Sequence, residues 1–444
     1  MMRAQFDAER GGTVSGHGPA MNRRQMFGWA AGGAAMVGMS SPARALWQAA
    51  ERFPALRAYI GDYVTSRRLP GAIAAIGLGN SPLATVAAGT IAFDSDRAVD
   101  ADTLWRHYSM TKPVTGIAAM MLIDRGLMQL DQPLADILPA FANMRVLTSA
   151  DAEIDQTVAA ERQITIRHLL THTAGLGYGI IQTGPIKAAY EAAGINPGQV
   201  TRMALPGVTL APPAPSLAEF ADRLATLPLV YQPATRWSYS VSLDLLGRVI
   251  EVVSGQPFDA FLQSQMFEPL AMASTSFRVA DANVDRLSTN YAPFGGGMIP
   301  IDPASTSIYR DAPAFPFGGA GLVGSAADYD RFLHMLANYG ELDGVRILSD
   351  AAAHVAMSNI LPEGIETAGT FAANSGFGAG GRVSLPGSPT GAGIYGWGGA
   401  AGTIAFVDPI RKIRFGGFAN YMPSGSYDFQ QRVAEVFITD LANQ

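Results

Sequence analysis

The 444-residue chain contains no cysteine. Disulfides, thiolate catalysis and cysteine-bound metals are excluded, and any redox compartment remains open. Charge is sparse as well: 15% of residues are charged, the formal net charge is -6, and no block of lysine and arginine stands out. Nucleic acid is therefore not an expected partner. Beyond residue 45, no run is apolar and long enough to cross a bilayer, so stable membrane insertion is not expected. What the chain does have is apolar bulk, 48% hydrophobic residues with 49 glycines. That length and composition suffice for a large core in two lobes.

The first residues read as a leader rather than as fold. Met21-Asn22-Arg23-Arg24-Gln25-Met26-Phe27 is followed by small and apolar residues to Met39, then by Pro42-Ala43-Arg44-Ala45. This is a charged start, an apolar stretch too short for an anchor, and a small-residue cleavage site. The arginine pair resembles a twin-arginine export signal. Residues 1–45 are thus expected to be an extension plus leader, with export to the periplasm. A cytoplasmic protein with an apolar tail is the alternative.

Past the leader, Leu46 to Arg68 predicts an amphipathic helix, broken by Leu69-Pro70-Gly71. Ala72 to Gly79 and Leu83 to Phe93 predict two buried strands around a turn. A helix follows from near Ser109 to Arg125, stopped by Gly126. Asp131 to Ala135 opens a short helical segment, and Ile164 to His172 predicts another helix. Ser216-x-x-Glu219 has the form of a capping box. Leu243 to Val253 is helical in pattern. Gly175 to Pro215, rich in glycine, proline and alanine, reads as a long loop that either lines a pocket or forms a surface insertion. Ser325 to Asn338 predicts a helix. Gly393 to Trp397, Gly402 to Val407 and Lys412 to Ala419 predict strands, and Phe429 to Leu441 a closing helix. Short turns between the late strands favour antiparallel pairing. The expectation is a mixed helix-and-sheet lobe from 46–139 and 291–444, with a mainly helical lobe from 140–290.

Three segments carry chemistry. Ser109-Met110-Thr111-Lys112 places a serine and a lysine three apart, on one face of a helix whose first turn holds Pro113. A serine hydroxyl needs a neighbour to take its proton, and Lys112 is so placed. Trp237-Ser238-Tyr239-Ser240-Val241 offers Tyr239 as a second base; read alone, it equally suits a core aromatic at a helix entrance. Tyr395-Gly396-Trp397-Gly398-Gly399-Ala400 has glycines that allow close backbone approach, and its N–H groups suit half of an oxyanion hole; read alone, it equally suits a bulge packed on tryptophan. His168 and His172 have the spacing of a metal pair but lack a zincin's adjacent glutamate, and read as packing residues. His107, two residues before Ser109, does not read as a triad base.

Together these segments resemble the three motifs of the serine β-lactamase superfamily, in its class C-like branch. Ile164 to Leu176, Phe267-Glu268-Pro269-Leu270, Gly318 to Val323 and Gly340 to Gly344 resemble further segments of that branch in the expected order. The resemblance implies an α/β fold of α+β type, the β-lactamase and penicillin-binding-protein-like fold, with an antiparallel sheet flanked by helices plus a helical lobe. It implies Ser109 as nucleophile, Lys112 and Tyr239 as the bases, and the backbone N–H groups of Ser109 and Ala400 as the oxyanion hole. Trp397, Gly398, Gly399, Tyr108 and Val241 are expected at the substrate, and no metal or organic cofactor is implied.

Two departures narrow the reading. Val241 stands where β-lactamases of this type carry asparagine, and Trp397-Gly398-Gly399 where they carry Lys-Thr-Gly. Both changes make the expected site more apolar. The Trp-Gly-Gly form is similar to family VIII carboxylesterases, and no Gly-x-Ser-x-Gly elbow is present. The expected activity is hydrolysis of small esters with short acyl chains through an acyl-enzyme, with weak β-lactam turnover. The alternatives are a β-lactamase or other amide or peptide hydrolase, a β-lactam sensor that stays acylated, and an acyltransferase. Oligomeric state is not legible.

Overall fold

A computed structural model describes residues 51–196, 198–203, 212–388 and 390–444. The expected leader, the start of the first predicted helix and part of the 175–215 stretch lie outside the described residues.

The helices used below are α1 (Pro54–Thr65), α2 (Thr111–Asp124), α3 (Ile166–Leu170), α4 (Gly184–Ala192), α5 (Leu217–Ala225), α6 (Ser242–Ser254), α7 (Ala326–Ala337) and α8 (Phe429–Ala442). The strands of the main sheet are β1 (Gly71–Leu78), β2 (Ala84–Gly89), β3 (Ser375–Phe377), β4 (Arg382–Ser384), β5 (Tyr395–Gly398), β6 (Ile404–Asp408) and β7 (Ile413–Phe418). Their order is β3-β4-β5-β6-β7-β1-β2, antiparallel throughout. This is the antiparallel sheet that the late strand signals predicted. Residues from both ends of the chain build it, because β1 pairs with β7 through contacts such as Ala75↔Gly416.

The two terminal helices cover one face of the sheet. Leu56, Ile60 and Tyr63 recur at helical spacing on α1 and are buried. They join Phe429, Val433 and Phe437 of α8 over Ile76 and Phe415, and the Phe53 and Phe437 rings lie 5.6 Å apart. Each such aliphatic or aromatic side chain contributes about 1.5–3 kcal/mol on burial. On the other side of the molecule, α2 is buried on every face from Thr111 to Leu122, as its all-round apolar sequence requires. It therefore forms the axis of the core, with α6 and the helix at Asp350–Ala356 among its neighbours.

Several boundaries differ from the sequence reading for identifiable reasons. The helix at Ser109 begins as a 3₁₀ turn, Tyr108–Met110, and becomes α-helical only at Thr111. Pro113 still falls in the first α-helical turn, where its missing N–H costs nothing. The capping box expected at Ser216 is half formed: its side chain accepts from the Glu219 N–H, but Glu219 pairs with Arg223 at 2.8 Å instead of reaching back. A full box occurs at Thr165 and His168. The 175–215 stretch contains α4, whose Ile186 and Tyr190 are buried, so a helix interrupts the predicted loop.

The turn that carries Ser109 is fixed from beneath. Residues 104–106 pair with 323–325, and Arg106 is fully buried. Its Nε donates to Asp302 Oδ2 at 2.7 Å, its Nη1 to the Ser288 carbonyl at 2.5 Å, and its Nη2 to the Asp302 carbonyl at 2.9 Å. Asn420 Oδ1 accepts from the Arg106 backbone N–H at 3.2 Å. One guanidinium thus ties the strand entering the serine turn to three distant segments.

Arg106→Met leaves Asp302 buried without its counter-charge. It should lower unfolding stability by about 3–5 kcal/mol, read as a reduced urea midpoint at unchanged slope. The double variant Arg106→Met with Asp302→Leu should recover part of the loss, because both charges are then gone.

Candidate active site

Ser109 sits half-buried at the N-terminal end of the α2 region and lines a cavity of about 1850 Å³. The preceding residue, Tyr108, has φ +44°, a left-handed conformation that costs a non-glycine residue roughly 1–3 kcal/mol. Its ring is pinned: the hydroxyl accepts from Asn290 Nδ2 at 3.2 Å, and Tyr309 packs edge-on at 6.3 Å. The strained turn is held by its surroundings.

Two groups converge on the serine oxygen. Lys112 Nζ donates to Ser109 Oγ at 3.2 Å, and Tyr239 donates through its hydroxyl at 2.7 Å. Lys112 is fully buried. Its Nζ also donates to the Gly319 carbonyl at 2.6 Å and lies 4.5 Å from the Tyr239 ring centroid. Tyr239 reaches the site from the entrance to α6, and its oxygen accepts from Trp397 Nε1 at 3.1 Å. Trp397 therefore does more than add apolar surface: it places a neutral N–H donor on the phenolic oxygen.

The close approach of β5 depends on glycine. A Cβ on Gly399 would lie 2.3 Å from the His107 carbonyl oxygen, so a side chain there would push the β5 edge away from the serine turn. Trp397, Gly398, Gly399 and Ala400 all line the cavity with Ser109, as do Tyr108 and Tyr239. Val241 does not. It is fully buried and absent from the cavity wall; its backbone N–H donates to the Gly177 carbonyl at 3.1 Å as α6 begins. The expectation that Val241 meets the substrate is corrected: the chain turns into the helix here and carries this side chain into the core.

One acidic residue escaped the sequence reading. Asp244, in the first turn of α6, is fully buried. Its Oδ1 accepts from the Gly319 N–H at 2.8 Å, and its Oδ2 has no hydrogen-bond partner among the described residues. A Cβ on Gly319 would lie 2.5 Å from that free oxygen, so only glycine fits beneath it. The Gly319 residue therefore links Asp244, through its N–H, to Lys112, through its carbonyl. Burial pushes the Asp244 carboxyl up to about 6, with Lys112 opposing. The signal available in sequence was an aspartate inside the apolar run Val241 to Leu246, where a surface role is improbable.

The histidines are spectators of this chemistry. Burial pulls His107 down to about 3, so it stays neutral. His168 closes the box that caps α3. His172 is buried with Nδ1 3.0 Å from Ser240 Oγ, and burial, then Lys112, holds it well below its ordinary range. Tyr178 packs edge-on to Tyr239 at 5.2 Å, and burial holds its phenol protonated. The cavity wall also includes the exposed apolar side chains Ile180 and Phe371.

Comparison with known proteins agrees with this architecture. The chain matches the Beta-lactamase family over residues 56–438. It is 32% identical over 352 residues to Protein Rv1367c of Mycobacterium tuberculosis (strain ATCC 25618 / H37Rv), covering 77% of this chain and 83% of that one. It is 32% identical over 373 residues to Esterase EstB of Burkholderia gladioli, covering 80% and 86%. Among solved structures, EstCE1, described as a hydrolase with promiscuous acyltransferase activity, superposes with a TM-score of 0.69 at 26% identity, covering 89% of this chain and 99% of that chain. The chain belongs to the Beta-lactamase family and has its fold.

A fluorophosphonate should add to Ser109 and appear as one covalent mass increment. Lys112→Ala and Tyr239→Phe should each slow labelling by roughly a hundredfold or more. Asp244 is neutral below about 6 and ionised above it; the groups facing it are Lys112 and Tyr178. An ionised Asp244 favours the Lys112 ammonium, the form that cannot take the Ser109 proton, so labelling should be held back above about 6, and Asp244→Asn should relieve that restraint. A profile unchanged in Asp244→Asn would show that the carboxylate does not act on Lys112.

Proposed function

We propose that this member of the Beta-lactamase family is a serine carboxylesterase that cleaves small carboxylic esters through an acyl-enzyme on Ser109. The observation that carries this reading is the pair of hydrogen bonds from Lys112 and Tyr239 onto Ser109 Oγ inside an open cavity. Ser109 attacks the ester carbonyl while Lys112 and Tyr239 together take its proton. For that step the Tyr239 hydrogen bond reverses direction, and the N–H of Trp397 is placed to stabilise negative charge on the phenolic oxygen. The backbone N–H groups of Ser109 and Ala400 hold the oxyanion. The tetrahedral adduct collapses, the leaving alcohol receives the proton, and water attacks the acyl-enzyme with the same pair as base.

Esters are favoured over β-lactams for two reasons. Trp397 places a neutral donor where a lysine would supply a cation for a carboxylate. Val241 cannot offer an amide to a lactam side chain and is turned away from the cavity in any case. The kinship with an esterase over most of both chains supports the same choice. Acyl transfer is the second reading. The cavity exceeds the roughly 300–1,000 Å³ of ordinary ligand pockets, which leaves room for an acceptor alcohol, and EstCE1 is described as having such an activity. Export through the residue 21–45 segment belongs to the same proposal.

Hydrolysis of p-nitrophenyl acetate, butyrate and laurate, beside Ser109→Ala, tests the reading. Short esters should turn over, and the variant should lose roughly three or more orders of magnitude in kcat. A larger kcat/KM on a cephalosporin than on the butyrate would sink the esterase assignment in favour of a β-lactamase.

A further inference from the structure

The cavity around Ser109 carries more charge than ester cleavage needs, and part of it is neutralised in place. Lys187 pairs with Glu191 at 3.9 Å, and Arg202 pairs with Asp311. Arg382 is different. It lines the same cavity, and among the described residues its guanidinium makes no hydrogen bond and no ion pair. Its side chain is open to solvent, yet protein surrounds it closely enough that burial alone pulls the guanidinium below its ordinary value. No neighbouring carboxylate offsets that penalty. A guanidinium on a cavity wall with no carboxylate partner has its donors free for a ligand.

Its position says what that would be. β4 pairs with β5 only at Arg382↔Gly396 and Val383↔Tyr395. On its other side β5 stays paired with β6 as far as Gly398↔Ile404. Among the described residues, no strand pairs with the outer edge of β5 from Trp397 onward, and Trp397 to Ala400 lines the cavity with Ser109. Arg382 stands where that open edge ends. At about 3.3 Å per residue the edge from Gly396 to Ala400 spans roughly 13 Å, and Arg382 lines the same cavity as that edge. A second link holds this end of the hairpin against the nucleophile helix: a Cβ on Gly380 would lie 2.4 Å from the Lys112 carbonyl oxygen.

We propose that Arg382 is a specificity residue that binds a carboxylate carried by the substrate, so that the preferred substrates are esters bearing a free carboxylate remote from the scissile bond. This rests on the esterase reading of Ser109. Bidentate geometry suits an arginine for the task better than a lysine. The other carboxylates on the cavity wall that show no ion pair, Glu366 and Glu435, would repel such a substrate, which leaves Arg382 as the group that fixes its acidic end.

The test compares p-nitrophenyl monoesters of succinic, adipic and sebacic acid with p-nitrophenyl butanoate, hexanoate and decanoate of matched length. On the alcohol side it compares 4-acetoxybenzoate with phenyl acetate. The readout is the ratio of kcat/KM, acidic over neutral, within each pair. In Arg382→Gln that ratio should fall roughly tenfold to a hundredfold for at least one pair, and Arg382→Lys should restore only part of it. A ratio unchanged for every pair overturns the proposal, including the case in which both members drop together. Turnover of the neutral esters with no Arg382 effect refutes this inference and leaves the esterase reading standing. If the wild type turns over none of the esters, the esterase reading fails, and calorimetric binding of monomethyl adipate and monomethyl sebacate to Ser109→Ala decides the carboxylate site separately: binding lost in Ser109→Ala with Arg382→Gln supports it, and no binding overturns it.

Discussion

The site depends on keeping one lysine buried. Lys112 lies in the wall of a helix that is apolar on every side, and removing its ammonium group from water costs several kcal/mol unless the donors are used. Two acceptors are supplied, the Gly319 carbonyl and Ser109 Oγ. The first of these is itself placed by Asp244, which holds the Gly319 N–H. The lysine, the glycine and the aspartate therefore form one unit contributed by α2, α6 and the 318–321 turn. The packing of α2 between α6 and the main sheet is what makes the unit possible. Site and core share the same contacts, so a change that loosens the core also moves Ser109.

Parts of this were legible in the sequence, and the reason differs from part to part. Ser109 and Lys112 could be placed on one face because helical spacing is local. The strands around Gly79 and Asp408 were legible because their turns carry glycine, asparagine and proline. Tyr239 and the Trp397 segment were open to two readings on their own, base or core aromatic, oxyanion hole or bulge, and only the family resemblance chose between them. Asp244 was missed because its neighbours in sequence describe an ordinary amphipathic helix, and its significance comes from a peptide some seventy residues away. Val241 was misplaced for a related reason: motif position fixes the residue's number, while the direction of its side chain follows from where α6 begins. The role of the Trp397 N–H could not be read from composition at all, because a tryptophan replacing a lysine looks like a simple loss of polarity.

The surroundings of the site fall into two parts. Arg106, Asp302 and Asn420 immobilise the turn beneath Ser109 through buried hydrogen bonds, and Tyr108 is held in a backbone conformation it would not adopt alone. Other walls of the cavity come from different segments, among them those carrying Ile180, Phe371 and Arg382.

The short reach of β4 also has an evolutionary consequence. Because its pairing with β5 stops at Gly396, how much of the β5 edge is left to line the cavity is set by the length of a hairpin. Two further paired residues on that hairpin would occupy the edge that lines the cavity and narrow it. Insertions and deletions there can retune substrate size in single steps while Ser109, Lys112 and Tyr239 stay untouched, which makes the hairpin a cheap place for this lineage to diversify.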